Sequence, residues 1–267
     1  MSQIPNTPTS KSGKAALHVA ILAAQKAGDV LLANFHSDKQ AKHKSRGNLV
    51  TQIDLLAEKA VMEVLRQEYP DHKILSEETN STTDTSGYTW IVDPLDGTNN
   101  YVYGLPFFCT NVALARDEDI LVGVTYAPMT RELFRAEKGK GAYLNDSPIH
   151  VSDVSTLEAA MIGFDLGYDD QQAREMLSVA IKLWGKIHCM RLIGSSALGL
   201  AYVAAGRISL YYHRFIYPWD IAPGLLLVQE AGGKITDWQG NPATLHSNQI
   251  ISSNPKLHSA FAKVITL

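Results

Sequence analysis

Apolar side chains at Leu17, Ala20, Ile21, Ala24, Ala27, Leu31 and Leu32 recur at the spacing of one helix face, and the pattern fades near Phe35. It predicts a first helix beginning after Ser12. Residues 36–48 are basic, with Lys39, Lys42, Lys44 and Arg46, and read as a mobile loop or hairpin. A second amphipathic run carries Leu56, Ala60, Val61, Val64 and Leu65. It predicts a helix over 54–68, stopped by Pro70. Short β-rich runs follow at 73–76 and 88–93. Residues 107–115, 120–126 and 131–137 read as an antiparallel series with turns at 117–119 and 128–130, continued by 139–143. The second half alternates: strands at 160–163, 188–191, 209–212, 234–236 and 249–251, and helices at 170–184, 195–205, 219–231 and from 255. Gly232-Gly233 stops the helix before it. This alternation predicts an α/β or α+β fold in layers, with antiparallel pairs in the middle.

Composition narrows the function classes. Of 267 residues, 45% are hydrophobic and 19% charged, enough for a sizeable core. Lys and Arg total 24 against 27 Asp and Glu, so no positive excess favours a nucleic-acid backbone or an anionic membrane. No uninterrupted apolar run approaches the ~20 residues of a membrane span. The start, MSQIPNTPTSKSG, lacks the apolar middle of a signal peptide and reads as a frayed tail over residues 1–12. Cys109 and Cys189 sit among apolar or β-forming neighbours and read as reduced core thiols, the state expected of a cytoplasmic protein. The stretch 80–87, NSTTDTSG, is a surface loop rather than a linker. Residues 13–267 therefore form one unit, divided intimately if at all, into subdomains near 13–150 and 151–267.

The candidate chemistry lies in carboxylates at strand ends and helix starts. In WIVDPLDGTNN, a β-run delivers Asp93, and Pro94 obliges the strand to stop or lie on an edge. Asp96 follows, Gly97 permits a tight turn, and Thr98 opens what reads as a short helix. Two carboxylates beside free backbone N–H groups suit a hard cation and a phosphate oxygen together. Turn chemistry explains D-P-x-D-G-T about equally well. Glu77 and Glu78 also end a strand, and in extended chain only one can enter a shared site. Asp54, in NLVTQID, and Asp220, in YPWDIAPG, precede or open helices, where a capping role is sufficient for each taken alone. Were Glu77, Asp93, Asp96 and Asp220 to converge, their repulsion would call for two or more Mg²⁺ ions.

Taken together, NLVTQID, LSEET, DPLDGTNNY and WDIAPGLLLVQEAGG resemble the inositol monophosphatase family of lithium-sensitive, Mg²⁺-dependent sugar-phosphate phosphatases. The motifs fall in family order over residues 48–233, and GSSALGLAYVAAGR at 194–207 resembles the segment before the last of them. The resemblance implies the layered αβαβα fold with mixed, largely antiparallel sheets, and a homodimer. It implies a first metal on Glu77, Asp93 and the Leu95 carbonyl, and a second on Asp93, Asp96 and Asp220. A third, weaker ion would be held by Glu77 through water. Asp54 and Thr98, with Glu77, would serve catalysis by orienting the attacking water. Asp96, Gly97, Thr98, Ser196, His213 and Asp220 would contact a small phosphorylated polyol or sugar, and Glu78 would stand farther out. Metal-activated water would attack phosphorus in line, without a phosphoenzyme.

Three departures qualify the substrate. Ser76 stands where many relatives have Gly. Pro223 replaces a usual Ala, and is expected within a first helical turn, where proline is tolerated. His213 occupies the place where inositol-specific members carry a Glu that grips hydroxyls. With Arg214 it could meet a second anionic group or another polyol, or be a surface pair. Inositol 1-phosphate is the favoured substrate. Fructose 1,6-bisphosphate, histidinol phosphate, adenosine 3′,5′-bisphosphate and NADP(H) are the family's other substrates. Lys42 and Lys44 could steer an anion, or lie on a solvated face. A regulatory binding protein on the same fold is the alternative of a different class.

Overall fold

The central strands are apolar at nearly every position, as a sheet covered on both faces requires. The computed structural model describes residues 7–45, 48–79 and 84–265. In the first part of the chain the elements are α1 (Ala16–Asn34), β1 (Lys42–Ser45), β2 (Asn48–Val50), α2 (Gln52–Glu68), β3 (Lys73–Ser76), β4 (Tyr88–Asp96), α3 (Thr98–Val102), β5 (Cys109–Arg116), β6 (Asp119–Ala127), β7 (Glu132–Glu137), β8 (Ala142–Leu144) and β9 (Ser147–Ile149). The second part has β10 (Met161–Phe164), α4 (Asp170–Leu183), β11 (Cys189–Leu192), α5 (Ser196–Ala204), β12 (Leu210–Arg214), α6 (Pro218–Glu230), β13 (Lys234–Thr236), β14 (Gln249–Ser253) and α7 (Pro255–Ile265).

One seven-stranded sheet runs in order β3 to β9, and a five-stranded sheet has the order β11-β10-β12-β14-β13. Only β3/β4, β10/β11 and β10/β12 pair in parallel among the described strands of these sheets. Side-chain alternation along the strands builds the layers. On β4 and β5, Trp90, Val92, Val112 and Leu114 join the core beneath α1 and α2, whereas Ile91, Ala113 and Ala115 join the core around α5 and α6. The second sheet divides likewise. Tyr211 and Ile250 face α5 and α6, while Leu210, Tyr212 and Ile251 face α4 and α7. The result is the expected five layers, helices–sheet–helices–sheet–helices.

Where helix α6 crosses the first sheet, two residues account for the close approach. An added Cβ at Gly123 would lie 2.9 Å from Pro223 Cα. The helix begins at Pro218, so Pro223 stands in its second turn, beyond the first turn where it was expected. Its missing N–H leaves the Trp219 carbonyl without the usual helical donor. Asn111 on β5 replaces that donor, its Nδ2 lying 3.2 Å from the Trp219 oxygen. Gly123→Ala is therefore expected to destabilise the fold by about 1–3 kcal/mol through overpacking. Urea unfolding checks this, and a midpoint equal to the parent's would contradict the packing argument.

Several expectations need correction. Strand β4 does not stop at Pro94; it continues to Asp96 along β5, through an irregularity described below, but its pairing with β3 ends at Val92, so Pro94 lies where the strand is paired on one side only, the edge position that was the other expectation. Residues 7–12, expected in the frayed tail, are pinned by Glu68, which accepts from the Ser10 hydroxyl (2.7 Å), the Ser12 hydroxyl (2.6 Å) and the Lys14 ammonium (2.6 Å). Residues 1–6 of that tail lie outside the described residues, as do residues 80–83 of the surface loop. The basic segment forms the antiparallel β1/β2 pair, of which Arg46 and the Lys44 side chain lie outside the described residues. Cys189 is only half-buried, because β11 is an edge strand, whereas Cys109 is fully buried. By length and mean hydropathy (1.4), α1 is apolar enough to cross a membrane; here one face packs on α2 and the sheet.

Candidate active site

Residues three apart in a regular strand point to opposite faces. Asp93 and Asp96 break that rule through a β-bulge. Asp93 pairs with Asn111 and Asp96 with Cys109, so β4 advances three residues while β5 advances two. Pro94, which cannot donate to the ladder, sits in the extra length, and Thr110 Oγ1 bonds its carbonyl at 3.0 Å. The bulge turns both carboxylates to one side. Helix α6 brings Asp220 to the same place, and one oxygen from each of the three lies within 4.8 Å of the others. Asp220 is also the third residue of its helix, and its Oδ2 accepts the Tyr217 N–H at 2.7 Å. Capping and convergence thus coexist in one side chain.

Glu77 joins them on the wall of a cavity of about 320 Å³. Glu78 is not among the residues lining it; the two glutamates follow the end of β3 in a turn, so only the first faces the cavity, as expected, although not by strand alternation. Burial raises the Asp93 carboxyl well above the ordinary range, and the charges of Glu77, Asp96 and Asp220 raise it further. Asp96 is pushed up to about 6, again first by burial. Against this, its Oδ2 accepts from the Ser195 hydroxyl and from the Ala197 N–H at 2.9 Å. Converging, repelling hard oxygen donors of this kind fit Mg²⁺.

The Asp54 side chain lies behind Thr98. It completes a capping box at the start of α2, its Oδ2 accepting from Thr51 N–H (2.8 Å) and Thr51 Oγ1 (2.6 Å). Its other oxygen lies 3.2 Å from Thr98 Oγ1. That hydroxyl is also 3.0 Å from the Leu95 carbonyl, the backbone group expected to face a metal. Gly97 caps α3 at φ 90°, a left-handed conformation in which a Cβ would meet the Phe107 oxygen at 2.8 Å. Leu95, Gly97 and Thr98 line the cavity.

Strand β12 splits the expected His213–Arg214 pair. His213 faces the cavity, and Arg214 faces the other side of the sheet, where it bonds Glu175 at 2.6 Å and stacks on Trp238. The reading in which both meet a second anion fails because neighbours in a strand point apart. The His213 Nδ1 lies 3.0 Å from Ser196 Oγ, its Nε2 is buried without a hydrogen-bond partner among the described residues, and burial lowers its pKa to about 3. The ring is neutral. Several cavity residues escaped the sequence, among them Asp165, Tyr168 and Ser195. Asp165 ends the β-run MIGF, so the strand-end rule that located Asp93 would have located it. Ser76 and Glu58 form a further buried pair, the hydroxyl donating to a carboxylate that also accepts the N–H of Glu78 (3.3 Å) and Thr79 (3.2 Å). The serine that replaces a usual glycine thus helps anchor the turn carrying Glu77.

Comparisons with known proteins agree with this geometry. The model of the inositol monophosphatase family matches residues 14–266. Inositol monophosphatase 1 of Solanum lycopersicum is 38% identical, over 94% of this chain and 94% of its own. Nus factor SuhB of Escherichia coli K12 is 35% identical, over 91% of this chain and 93% of its own. The crystal structure of the extragenic suppressor protein suhB from Bartonella henselae superposes with a TM-score of 0.89 at 34% identity, covering 93% of this chain and 97% of that one. Matched along nearly its whole length by the family model and by relatives of this kind, the chain belongs to the inositol monophosphatase family and is a phosphoric monoester hydrolase.

Proposed function

We propose that the protein hydrolyses a small polyol or sugar phosphate, inositol 1-phosphate foremost, in the cytoplasm and as a homodimer. The convergence of Asp93, Asp96 and Asp220 across a bulge and a helix start carries this reading. Glu77, Asp93, the Leu95 carbonyl, Asp96 and Asp220 would hold two or three Mg²⁺ ions. When bound, Mg²⁺ supplies Lewis-acid polarisation of the ester and a more acidic water. The remaining work falls to the chain. Gly97 and Thr98, at the start of α3, present N–H groups to the phosphate. The Thr98 hydroxyl, fixed by Asp54, orients the attacking water in line with the ester oxygen. The experiment is phosphate release across a panel of monophosphate and bisphosphate esters, with Mg²⁺ and with chelator. Turnover that persists without divalent cations would overturn the assignment.

The substrate's far end meets His213. A neutral ring with a free Nε2 suits a hydroxyl better than a second phosphate. His213→Ala is expected to raise KM for inositol 1-phosphate by about tenfold, the value of one hydrogen bond, with kcat little changed. The ratio of the two KM values should stay flat from about pH 5 to 8, since the buried ring does not titrate there. A larger loss on bisphosphates than on monophosphates would favour the anionic reading. A second role, in transcription complexes, is suggested by the name of the E. coli relative. A pull-down with RNA polymerase tests it beside the ester panel.

A further inference from the structure

One carboxylate on the cavity wall belongs neither to the cation ligands nor to the water-orienting pair. Asp165 follows the last residue of β10 and is 8% exposed. Its Oδ1 accepts the N–H groups of Ile193 (3.0 Å) and Gly194 (2.6 Å), and its Oδ2 accepts the Tyr211 hydroxyl (2.7 Å). Immediately beyond Gly194, the Ser195 hydroxyl and the Ala197 N–H donate to Asp96. Asn100, on α3, grips the same segment through the carbonyls of Ile193 (3.0 Å) and Gly194 (3.2 Å). The stretch 193–197 is therefore a clasp. The second sheet holds one side of it through Asp165, and the other side supplies two donors to one oxygen of Asp96, which the Cys109 thiol also approaches at 3.8 Å. A buried carboxylate is costly unless its donors are fixed, and here three donors converge on it.

We propose that Asp165 is a positioning residue, which sets segment 193–197 so that Ser195 and Ala197 hold the Asp96 carboxylate in the orientation that binds Mg²⁺. The inference rests on Asp96 being a cation ligand. Asp165 acts through the clasp and not by touching the ester, although it lines the cavity. The clasp also explains how the second sheet, remote in sequence from the DPLDGT motif, controls that motif's geometry.

The test is calorimetric titration of MgCl₂ into the full-length protein without substrate, alongside steady-state kinetics. Asp165→Ala is expected to weaken Mg²⁺ binding by about tenfold, the usual scale for losing a supporting hydrogen-bond partner. Asp165→Asn should recover to within about threefold, since an amide oxygen still accepts both N–H groups. Combining Asp165→Ala with Ser195→Ala should cost little beyond Ser195→Ala, because both act on Asp96 along one path. Unchanged Mg²⁺ affinity in Asp165→Ala, with only a raised substrate KM, would overturn the inference and make Asp165 a substrate contact. Should that variant not fold, the wild type supplies the answer. By reciprocity, saturating Mg²⁺ must slow amide exchange in the peptide carrying Ile193 and Gly194 by a comparable factor. No slowing sinks the inference. A wild type that binds no Mg²⁺ would instead remove the proposed function, and this inference with it.

Discussion

Asp93→Asn is expected to abolish measurable phosphate release, a loss of about a thousandfold or more, while leaving the metal-free protein at least as stable as the parent. The first effect follows because, in the proposed site, Asp93 would be the carboxylate shared by two cations, and even supporting residues of such sites cost about 10–100-fold when lost. The second follows from electrostatics. Without a cation, Asp93 is buried against Glu77, Asp96 and Asp220, all of which raise its pKa. A carboxyl whose pKa is higher in the folded state binds more protons folded than unfolded. Stability then falls as pH rises from the unfolded value of 3.8 through the folded values, which lie well above it for Asp93 and at about 6 for its neighbour Asp96. Asparagine removes one of the repelling charges, so the variant's metal-free stability should depend less on pH across that window. Mg²⁺ should raise the melting temperature of the wild type by mass action and that of Asp93→Asn much less. Melting curves with chelator and with Mg²⁺, at pH values on both sides of 6, check both effects. A variant that lost stability as severely as activity would show that Asp93 is a structural acid.

How much of this could be read from the chain differs by element. Asp93, Asp96 and Asp220 were legible because each closes a strand or opens a helix, positions where α/β folds assemble sites. What made Asp93 and Asp96 share a face was not legible. Local pattern offered a stop or an edge at Pro94, whereas pairing with β5 carries the strand through a bulge, past Val92 where its pairing with β3 ends. The pairing partner, not the proline, decides the outcome. His213 and Arg214 are adjacent in sequence, which suggests a unit, but the pleat separates them. The clasp built on Asp165 depends on contacts 28 and 29 residues away, to Ile193 and Gly194, and no local pattern carries such a pairing. Pro223 is similar. Its tolerance in the second turn of α6 depends on Asn111, a residue 108 positions distant from the Trp219 carbonyl it satisfies. Periodicity located the helices and strands well, because their burial on one or both faces is written into the sequence. It could not reveal which polar side chain repairs which backbone gap.

Thr98→Val is expected to lower kcat by about a hundredfold or more, the lower range for losing a group that orients proton transfer, with Mg²⁺ affinity nearly unchanged. The hydroxyl has one proton, and its two neighbours, Asp54 at 3.2 Å and the Leu95 carbonyl at 3.0 Å, are both acceptors. Its lone pairs are therefore what it offers the cavity, and a water there must donate to it. Engaging the Leu95 carbonyl with a cation would leave Asp54 as the sole acceptor, which fixes the direction of the hydroxyl when the site is loaded. Asp54 is well suited to this. Its second oxygen is held by Thr51, so the carboxylate cannot rotate away. Valine keeps the shape of threonine and removes only the hydroxyl, while Thr98→Ser should retain most activity. Asp54→Asn should be milder than Thr98→Val, and the double variant no worse than Thr98→Val alone, since residues acting as a unit are not additive. Asp54→Ala carries a separate cost of about 1 kcal/mol in stability, because it breaks the capping box of α2. Comparing kcat, Mg²⁺ affinity and melting temperature across these variants separates the two roles. Thr98→Val with more than a tenth of wild-type kcat would mean that the water is oriented by other groups, and that the Asp54–Thr98 contact serves the fold alone.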